Sequence, residues 1–393
     1  MGKYQAYLIA YMKRKINILF VTVQLGGMGG SERLISNLAL NLDRKIFNPS
    51  IAWFSEASAL KDFKDLGIPL HHIPKNRRFD FSTMQKLGKI VSEHDIDIIN
   101  AQHFMPMFYS FYGSKIMNKR KLIYTEHSEW EIERLPWRWQ KMGSCLLSHA
   151  DAVVGVHEKV AGSIQKKMSV PRSKTVAILN GVDPKSFEGI DKTGIRKKIG
   201  LGRDEKIIGM VANFKKIKNH IFLLRAFKEV AKLEKKTWLL LIGNGFKGDA
   251  DGSEQEVREF IKNEGLDRVL VLGGRSDIPE LLSIMDIFCL TSFKEGLPIS
   301  LIEAMFAGLA LVGTEVEGIK YMIAPDKNGY LVKIGDVEGL KNRLLHLLDN
   351  EQLRQRFGRE SRSRAQIYSI GRCVTEYQNL FLSLMERRIN TQF

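Results

Sequence analysis

The chain has 393 residues, 44% of them hydrophobic and 26% charged, which is the composition of a globular protein with more than one core. Its three cysteines, Cys145, Cys289 and Cys373, have no short spacing, which argues against a disulfide framework or a cysteine-based metal site and favours a reducing cytoplasm. The net charge is +16, with 27 basic against 16 acidic residues (+11) in residues 1–185 and 33 against 28 (+5) in residues 186–393, so the first half is expected to meet an anionic partner.

The first fifteen residues, "MGKYQAYLIAYMKRK", do not resemble a secretion signal, although their apolar patch and basic cluster suit the surface of an anionic bilayer. Their apolar patch precedes the basic cluster, whereas a signal peptide has the charges first. No run of about 18 apolar residues occurs in the chain, so no transmembrane helix is predicted. The expected location is therefore the cytoplasm.

Short apolar runs alternate with stretches of helical period through the first half of the chain. The runs are continuously apolar, as in a buried parallel sheet. In chain order the predicted elements are strand 16–24, helix 31–43, strand 49–55, helix 57–66, strand 70–73, helix 82–94, strand 96–101, helix 105–117, strand 121–126 and strand 152–156.

The second half repeats this alternation. Its predicted strands are "KIIGMVAN", "TWLLLIGNG", "RVLVLGG", "DIFCLTS" and "ALVGTEV", each followed by a helical stretch. Turn residues cluster in "ILNGVDPKSF" and mark the join between the two halves. Two successive βα arrays predict two doubly wound α/β domains.

The glycine loop "GGMGGSER", residues 26–33, lies between the first predicted strand and the first predicted helix. Glycines let backbone amides approach an anion closely, and a helix N-terminus adds positive potential, so the loop is a candidate phosphate site. It matches neither the P-loop nor the G-x-G-x-x-G pattern. A tight turn without a ligand is an equally good interpretation of the loop alone.

The stretch "FKEGLPISLIEAMFAG" places two glutamates, Glu295 and Glu303, on either side of a predicted helix start. Pro298 is well suited to begin that helix, and its first amides, near Ser300 and Leu301, would lie between the two carboxylates. Carboxylates bind hydroxyls and amides bind phosphate. The stretch therefore predicts a site for a phosphate joined to a polyhydroxyl group.

Several of these motifs together resemble the family 4 glycosyltransferases. The resemblance rests on "GGMGGSER", "ILNGVD", "VANFKKIKNH", "LIGNGF" and "GGRSDIPELLSIMDIFCLTSFKEGLPISLIEAMFAGLALVGTEVEG", in the family's order over nearly the whole chain. It implies the GT-B fold, with two Rossmann-like domains facing a central cleft. Residues 1–184 would form the acceptor domain, completed by a C-terminal helix at 371–393 that crosses back, and residues 185–370 would form the donor domain.

The resemblance also implies an activity. Family members move a sugar from a nucleotide-diphosphate sugar to an acceptor, with retention of anomeric configuration and without an essential metal or other cofactor. UDP is the first candidate for the donor nucleotide because many relatives use it, and GDP is the second. The expected acceptor is a saccharide or lipid-linked saccharide of the cell envelope, and no nucleic acid is expected as a partner.

Roles carry over to positions that match the family's motifs. Three residues are expected at the reacting groups: His127, Glu295 and Lys218. The expected donor-binding residues are Gly29, Gly30, Asn213, Lys218, Gly243, Gly273, Arg275, Glu295, Gly296, Leu297, Ser300, Leu301 and Glu303. Two positions depart from the family: Asn213 stands where it has an arginine, and Tyr321 where many relatives carry a glutamate.

Two residues of the first half, His103 and Glu126, are weaker candidates for the wall that holds the acceptor. Further on, residues 127–142 mix tryptophan with arginine and lysine, which suits either an anionic membrane surface or a packed helix with a basic exposed face. The first interpretation predicts a peripheral protein at the inner face of the plasma membrane.

Two rival functions remain open on the sequence. A nucleotide-sugar epimerase or a phosphorylase would use the same two domains, because fold does not fix chemistry. A non-catalytic sugar-nucleotide sensor would fit the departures at Asn213 and Tyr321. The Asp95–Asp97 pair has the Asp-x-Asp spacing of a metal site, but it precedes "IIN" and is interpreted as the start of a strand. "DADG" at 249–252 lacks the third oxygen ligand and the distant glutamate of a calcium loop, so no metal ligand is predicted.

Overall fold

The computed structural model describes residues 14–25, 30–55, 67–75, 80–118, 120–245 and 252–390. The chain divides into two compact units, which we call unit 1 (Met1–Gly181 with Ile370–Phe393) and unit 2 (Val182–Ser369). The sequence analysis places the two boundaries after residues 184 and 370. Each unit contains a parallel sheet with helices, which confirms the predicted fold class of two Rossmann-like doubly wound domains.

Among the described residues, the sheet of unit 1 has seven parallel strands in the order β3-β2-β1-β4-β5-β6-β7. They are β1 (Ile16–Thr22), β2 (Phe47–Trp53), β3 (Leu70–His72), β4 (Ile98–Gln102), β5 (Lys121–Glu126), β6 (Ala152–Gly155) and β7 (Thr175–Ala177). The strand order reverses between β1 and β4. In open α/β sheets, ligands bind beyond the carboxyl ends of the strands at such a switch point.

The helices of unit 1 connect these strands. They are α1 (Gly30–Asn41), α2 (Phe81–Glu93), α3 (Phe104–Phe111), α4 (Glu129–Arg134), α5 (Trp137–Ser148), α6 (Glu158–Met168) and, from the end of the chain, α15 (Ile370–Asn390). Helix α15 covers the sheet with Tyr377 and Phe381, both fully buried. The Phe381 ring meets Phe47 at 5.9 Å and Phe20 at 6.5 Å, edge to face, so the core of unit 1 includes residues from both ends of the sequence.

The sheet of unit 2 has six parallel strands among the described residues, in the order β10-β9-β8-β11-β12-β13. They are β8 (Lys206–Val211), β9 (Thr237–Ile242), β10 (Val269–Gly273), β11 (Ile287–Leu290), β12 (Ala310–Thr314) and β13 (Gly329–Val332). This is the Rossmann order, and its switch point lies between β8 and β11.

The helices of unit 2 are α7 (Lys192–Lys198), α8 (His220–Leu233), α9 (Ser253–Asn263), α10 (Ile278–Ser283), α11 (Ile299–Phe306), α12 (Glu317–Lys320), α13 (Val337–Asp349) and α14 (Glu351–Ala365). Several of these helices are capped at the N-terminus by an acidic or amide side chain. Asp336 accepts the Gly339 amide before α13, and Asn350 accepts the Leu353 amide before α14. None of the described helices is both long and apolar enough to cross a bilayer.

The structure differs from the predicted elements in a few places. The predicted helix 105–117 is α-helical only to Phe111 and continues as a π-helix over Tyr112–Met117. Its Gly113 packs closely against the backbone of Gly88 on α2. Strands β7 and β13, which have three and four residues, are not predicted from the sequence. The predicted helix 57–66 lies outside the described residues.

Candidate active site

An ion pair lies at the switch point of unit 2. Lys218 follows β8, Glu295 follows β11, and the Nζ of Lys218 donates to Oε1 of Glu295 at 2.6 Å. The Ser292 hydroxyl donates to the same oxygen. Only 24% of the Lys218 side chain and 8% of the Glu295 side chain are exposed. The pair is therefore partly desolvated, and its attraction is less screened than that of a surface pair.

The backbone around this pair is held by hydrogen bonds between the two loops. The Thr291 hydroxyl donates to the carbonyl of Asn219 at 3.0 Å, and the Phe293 amide donates to the carbonyl of Ile217 at 2.8 Å. Asn219 has φ 54°, a left-handed conformation that asparagine tolerates. These bonds fix Lys218 opposite Glu295, although 77 residues separate them in the chain.

Glu303 lies on α11, the helix that follows the Glu295 loop, and its residue is 7% exposed. The helix begins at Ile299, directly after Pro298, as the sequence predicts. The amide of Leu301 donates to the carbonyl of Pro298 at 3.1 Å and is already engaged in the first turn. Of the two amides that the sequence analysis expects at a phosphate, Ser300 is therefore the better candidate.

Glycines of unit 2 allow close backbone contacts beside the switch point. A Cβ on Gly243 would lie 2.0 Å from the carbonyl oxygen of Ala212, so only glycine fits after β9. Gly318 packs against the Glu295 loop in the same way, since its Cβ would lie 2.3 Å from the Gly296 carbonyl. Gly273 has φ 67° at the end of β10. Leu297 is buried.

Arg275 is paired with an acidic side chain, and Asn213 carries no charge. The Arg275 guanidinium binds Asp277 through two hydrogen bonds, Nε to Oδ1 at 2.7 Å and Nη2 to Oδ2. This pairing lowers the pKa of Asp277. Asn213, just after β8, is half-buried and carries a neutral amide. Tyr321, at the end of α12, is exposed.

In unit 1, two histidines follow neighbouring strands at the carboxyl edge of the sheet. His103 follows β4, His127 follows β5, and their ring centroids lie 4.7 Å apart. His103 has φ 70°, a strained conformation for a side chain of this size. The glycine loop after β1 is described only from Gly30, which begins α1 and is exposed; Gly29 lies outside the described residues.

Glu126 lies within the protein, not on an exposed wall. Its residue is 1% exposed. Its carboxylate accepts the His127 amide at 2.8 Å, the Ser128 amide at 3.3 Å, His103 Nδ1 at 3.2 Å and the Tyr124 hydroxyl. These bonds position the backbone and rings around it. We therefore revise its expected contact with an acceptor to a supporting role, while His103 stays a candidate.

A chain of buried polar side chains leads to His127, and it is not among the features predicted from the sequence. His127 Nε2 meets Gln102 Oε1 at 2.7 Å, and Gln102 Nε2 donates to Asn100 Oδ1 at 2.9 Å. Burial, and then the neighbouring His103, lower the pKa of His127 well below its usual range. A signal is present in the sequence, because Asn100 is a polar residue among the apolar residues that end the predicted strand 96–101, and Gln102 follows that strand directly.

The acidic side chains of the Asp95–Asp97 pair are engaged in ion pairs and hydrogen bonds. Asp97 is fully buried and accepts two bonds from Arg14 and one from the Asn17 amide, and Asp95 pairs with Arg120. Residues 249–251 lie outside the described residues. Among the residues that are described, no group of three or more His, Cys, Asp or Glu could hold a metal ion.

Two family models match the chain, one for each unit. The model for glycosyltransferase family 4 matches residues 28–186, and the model for glycosyl transferases group 1 matches residues 191–364. The second match contains Lys218, Glu295 and Glu303, and the first contains both histidines of the unit 1 edge.

Curated relatives and solved structures agree with these matches. The N-acetyl-alpha-D-glucosaminyl L-malate synthase of Bacillus anthracis is 27% identical over 78% of this chain and 80% of its own length. The Escherichia coli UDP-Gal:alpha-D-GlcNAc-diphosphoundecaprenol alpha-1,3-galactosyltransferase is 23% identical over 76% and 79%. The crystal structure of Anabaena HepE in complex with UDP-glucose has a TM-score of 0.83 at 21% identity, over 94% of this chain and all of that one, which shows the same fold.

Proposed function

The chain belongs to the family 4 glycosyltransferases, enzymes of glycan biosynthesis, and we propose that it transfers a sugar from a UDP-sugar with retention of anomeric configuration. The observation that carries the proposal is the Lys218–Glu295 pair at the switch point of unit 2. A cation and a carboxylate meet there beside a helix N-terminus, a combination that suits a diphosphate joined to a sugar.

UDP is the proposed nucleotide because the names of similar proteins point to it. The Escherichia coli relative is named for UDP-Gal, and the Anabaena structure contains UDP-glucose. Glu303 is proposed to bind the ribose hydroxyls, and the turns at Gly243 and Gly273 to border the nucleotide. When the diphosphate is bound, Lys218 would contact both the diphosphate and Glu295, and Glu295 would then bind the sugar.

The leaving diphosphate needs stabilisation by a fixed positive charge and by backbone donors. Lys218 and the Ser300 amide are the proposed donors. Asn213 removes the guanidinium that the family has near this place, and Arg275 is already neutralised by Asp277, so Lys218 is the main cation in this proposal. Transfer with retention then lets the leaving phosphate oxygen take the proton of the acceptor hydroxyl on the same face of the sugar.

The proposed acceptor is a saccharide or lipid-linked saccharide of the cell envelope. The Escherichia coli relative acts on a diphosphoundecaprenol-linked sugar according to its name. The charge of residues 1–185, +11, favours an anionic acceptor or an anionic membrane surface on unit 1. We propose a cytoplasmic protein that reaches the inner face of the plasma membrane.

We propose that transfer needs no metal ion, because Lys218 and backbone amides take the place of a divalent cation at the diphosphate. Activity in excess EDTA should therefore equal activity without it. Loss of activity on chelation, followed by recovery with manganese, would reject this arrangement and call for a metal-bridged diphosphate.

Nucleotide binding to the full chain is the direct test of the proposed donor. UDP at 100 times its Kd should raise the free energy of unfolding by about 2.7 kcal/mol, with a smaller effect of GDP and ADP at equal concentration. Glu303→Ala should reduce the UDP effect, and the exposed Glu338→Ala on α13 serves as the matched control. No response to any nucleoside diphosphate would contradict the proposed function.

Turnover separates the transferase from its rivals. Release of UDP from a UDP-sugar that depends on an added saccharide acceptor supports transfer. Conversion of the UDP-sugar without an acceptor indicates an epimerase. Tight UDP-sugar binding without turnover on any envelope acceptor indicates a sensor.

A further inference from the structure

Three fully buried polar side chains lie in the two central strands of unit 1 that lead to His127. The Thr125 hydroxyl donates to Asn100 Oδ1 at 2.8 Å, and the Gln102 amide donates to the same oxygen at 2.9 Å. The oxygen of the same Gln102 amide, Oε1, lies 2.7 Å from His127 Nε2. Their exposed fractions are all zero, whereas His127 is half-buried.

Such a chain needs a reason, because polar groups are costly to bury in the middle of a sheet. The neighbouring residues of β4 and β5, including Ile98, Ile99 and Ile123, are apolar and buried, as a parallel sheet requires. His127 is the member of the chain that reaches the carboxyl edge, where ligands of such sheets bind. The three buried polar side chains therefore act on His127.

The direction of the hydrogen bonds determines where the imidazole hydrogen lies. Gln102 donates with its nitrogen to Asn100, so its oxygen faces His127 and suits a hydrogen carried on Nε2. A neutral ring with hydrogen on Nε2 has a bare lone pair on Nδ1. That Nδ1 atom is buried and has no hydrogen-bond donor among the described residues.

The groups that face His127 favour this neutral form. The His103 ring lies against it at 4.7 Å, and with burial it lowers the pKa of His127. The carboxylate of the adjacent residue, Glu126, accepts the His127 backbone amide at 2.8 Å and binds the His103 ring, and the Tyr124 hydroxyl donates to it as well. The contacts of Glu126 thus hold the loop and His103.

We propose that Gln102 is a positioning residue that fixes His127 as a neutral ring with its hydrogen on Nε2, so that Nδ1 accepts a hydrogen bond from a saccharide hydroxyl. Asn100 and Thr125 act one step further back by fixing the amide of Gln102. The part that concerns the saccharide rests on the proposed function, whereas the state of the ring does not.

The experiment reads the ring directly, by long-range ¹H–¹⁵N NMR of the full chain labelled at histidine, without any ligand. His127→Gln identifies the signals. In the wild type we expect the Nε2-protonated form and no protonation of His127 down to pH 6. In Gln102→Met, a replacement of similar size without hydrogen bonds, both neutral forms should be populated.

A matched control is available in the same unit. Gln140 is half-buried and donates to the Leu135 carbonyl at 2.8 Å, so Gln140→Met removes a comparable bond and should leave the His127 signals unchanged. With a UDP-sugar that the wild type turns over, Gln102→Met should keep UDP affinity within about twofold and lower turnover about tenfold.

A second variant covers the case in which Gln102→Met does not fold. Gln102→Glu places a carboxylate at Nε2, which should raise the pKa of His127 and move the acidic limb of the pH–rate profile upward. A wild-type ring with hydrogen on Nδ1, or a ring whose form is the same in all three proteins, overturns the proposal. Absence of UDP binding to the wild type overturns the proposed function and leaves the ring assignment standing.

Discussion

Glu295 and Glu303 belong to one stretch of sequence but lie in different surroundings. Glu295 binds Lys218 and Ser292, and Glu303 lies on α11. We expect Glu303→Ala to weaken UDP binding and Glu295→Ala mainly to lower turnover. A hydrogen bond to a charged group is worth roughly 1.5–3 kcal/mol, so each effect should be about ten- to hundredfold. Calorimetric UDP titration and steady-state kinetics measure the two quantities.

The same pair of variants can contradict the assigned roles. Unchanged UDP affinity in Glu303→Ala would remove the ribose role. Glu295→Gln keeps the size of the side chain and removes its charge, so it separates the ion pair with Lys218 from packing. If Glu295→Gln retained full turnover, the carboxylate would have no part in the reaction.

His220, the first residue of α8, makes stability depend on pH. Its ring is buried against Phe214 at 4.7 Å, and burial lowers its pKa to about 4 from 6.5. The unfolded chain therefore binds a proton that the folded protein rejects, and stability falls as the pH drops below about 6.5. Between pH 7.5 and 5 we expect a loss of about 2 kcal/mol from this residue.

Urea unfolding of the wild type and of His220→Leu at both pH values checks this expectation. The variant should lose about 2 kcal/mol less than the wild type on acidification. The exposed His149→Leu serves as the control and should follow the wild type. An equal loss in wild type and His220→Leu would assign the pH dependence to other groups.

At the scale of elements, the start of α12 supports the loop that carries Glu295. A Cβ on Gly318 would lie 2.3 Å from the Gly296 carbonyl and 2.6 Å from the Glu295 carbonyl, and both are backbone atoms. We expect Gly318→Ala to push this loop away from Lys218 at a cost of about 1–3 kcal/mol of stability. Turnover should fall more than UDP affinity.

The control for this substitution is a glycine with room for a methyl group. Gly162 in α6 has no atom within 4 Å of its ideal Cβ, and Gly162→Ala should leave activity unchanged and add about 1 kcal/mol of helix stability. Thermal unfolding and steady-state kinetics of Gly318→Ala and Gly162→Ala measure these effects on stability and turnover. A Gly318→Ala protein with wild-type turnover would show that the loop tolerates the shift.

The strands other than β7 and β13 are predictable because continuous apolar runs of this length suit a sheet buried on both faces. The π-helix after α3 is not predictable from local sequence, and it lies where Gly113 approaches the backbone of Gly88, a contact between distant segments. The 77-residue separation of Lys218 and Glu295 likewise hides their contact from periodicity, and the family resemblance alone pointed to a shared site. Asn100 and Gln102 carried a signal, but polarity within a strand does not reveal its partner.

At the scale of the whole molecule, an exposed tryptophan lies among the basic residues of the first half. The Trp137 side chain is 61% exposed, and Arg138 and Lys141 lie over its ring at 5.4 Å and 5.1 Å. Of the other basic segment, residues 12–15, the structure describes Arg14 and Lys15, and the Arg14 guanidinium binds the buried carboxylate of Asp97. This arrangement suits a headgroup region, where each basic residue adds about 1 kcal/mol of attraction to anionic lipid.

Vesicle sedimentation tests this surface. Binding to vesicles with anionic lipid should weaken with salt, and the double variant Arg138→Gln/Lys141→Gln should bind roughly thirtyfold less tightly. The control removes the same charge from unit 2 with Lys197→Gln/Lys198→Gln. Equal binding to neutral and anionic vesicles, or equal binding of both double variants, would favour a soluble acceptor.

The return of α15 to unit 1 has a consequence for synthesis. The residues of unit 2 form one uninterrupted segment, so unit 2 can complete its sheet as soon as it leaves the ribosome. Unit 1 must wait, although its strands are made first, because Tyr377 and Phe381 of its core arrive only after all of unit 2. During that interval Phe20 and Phe47 lack their edge-to-face partner, and the part of the sheet that α15 later covers is a surface that chaperones would be expected to bind.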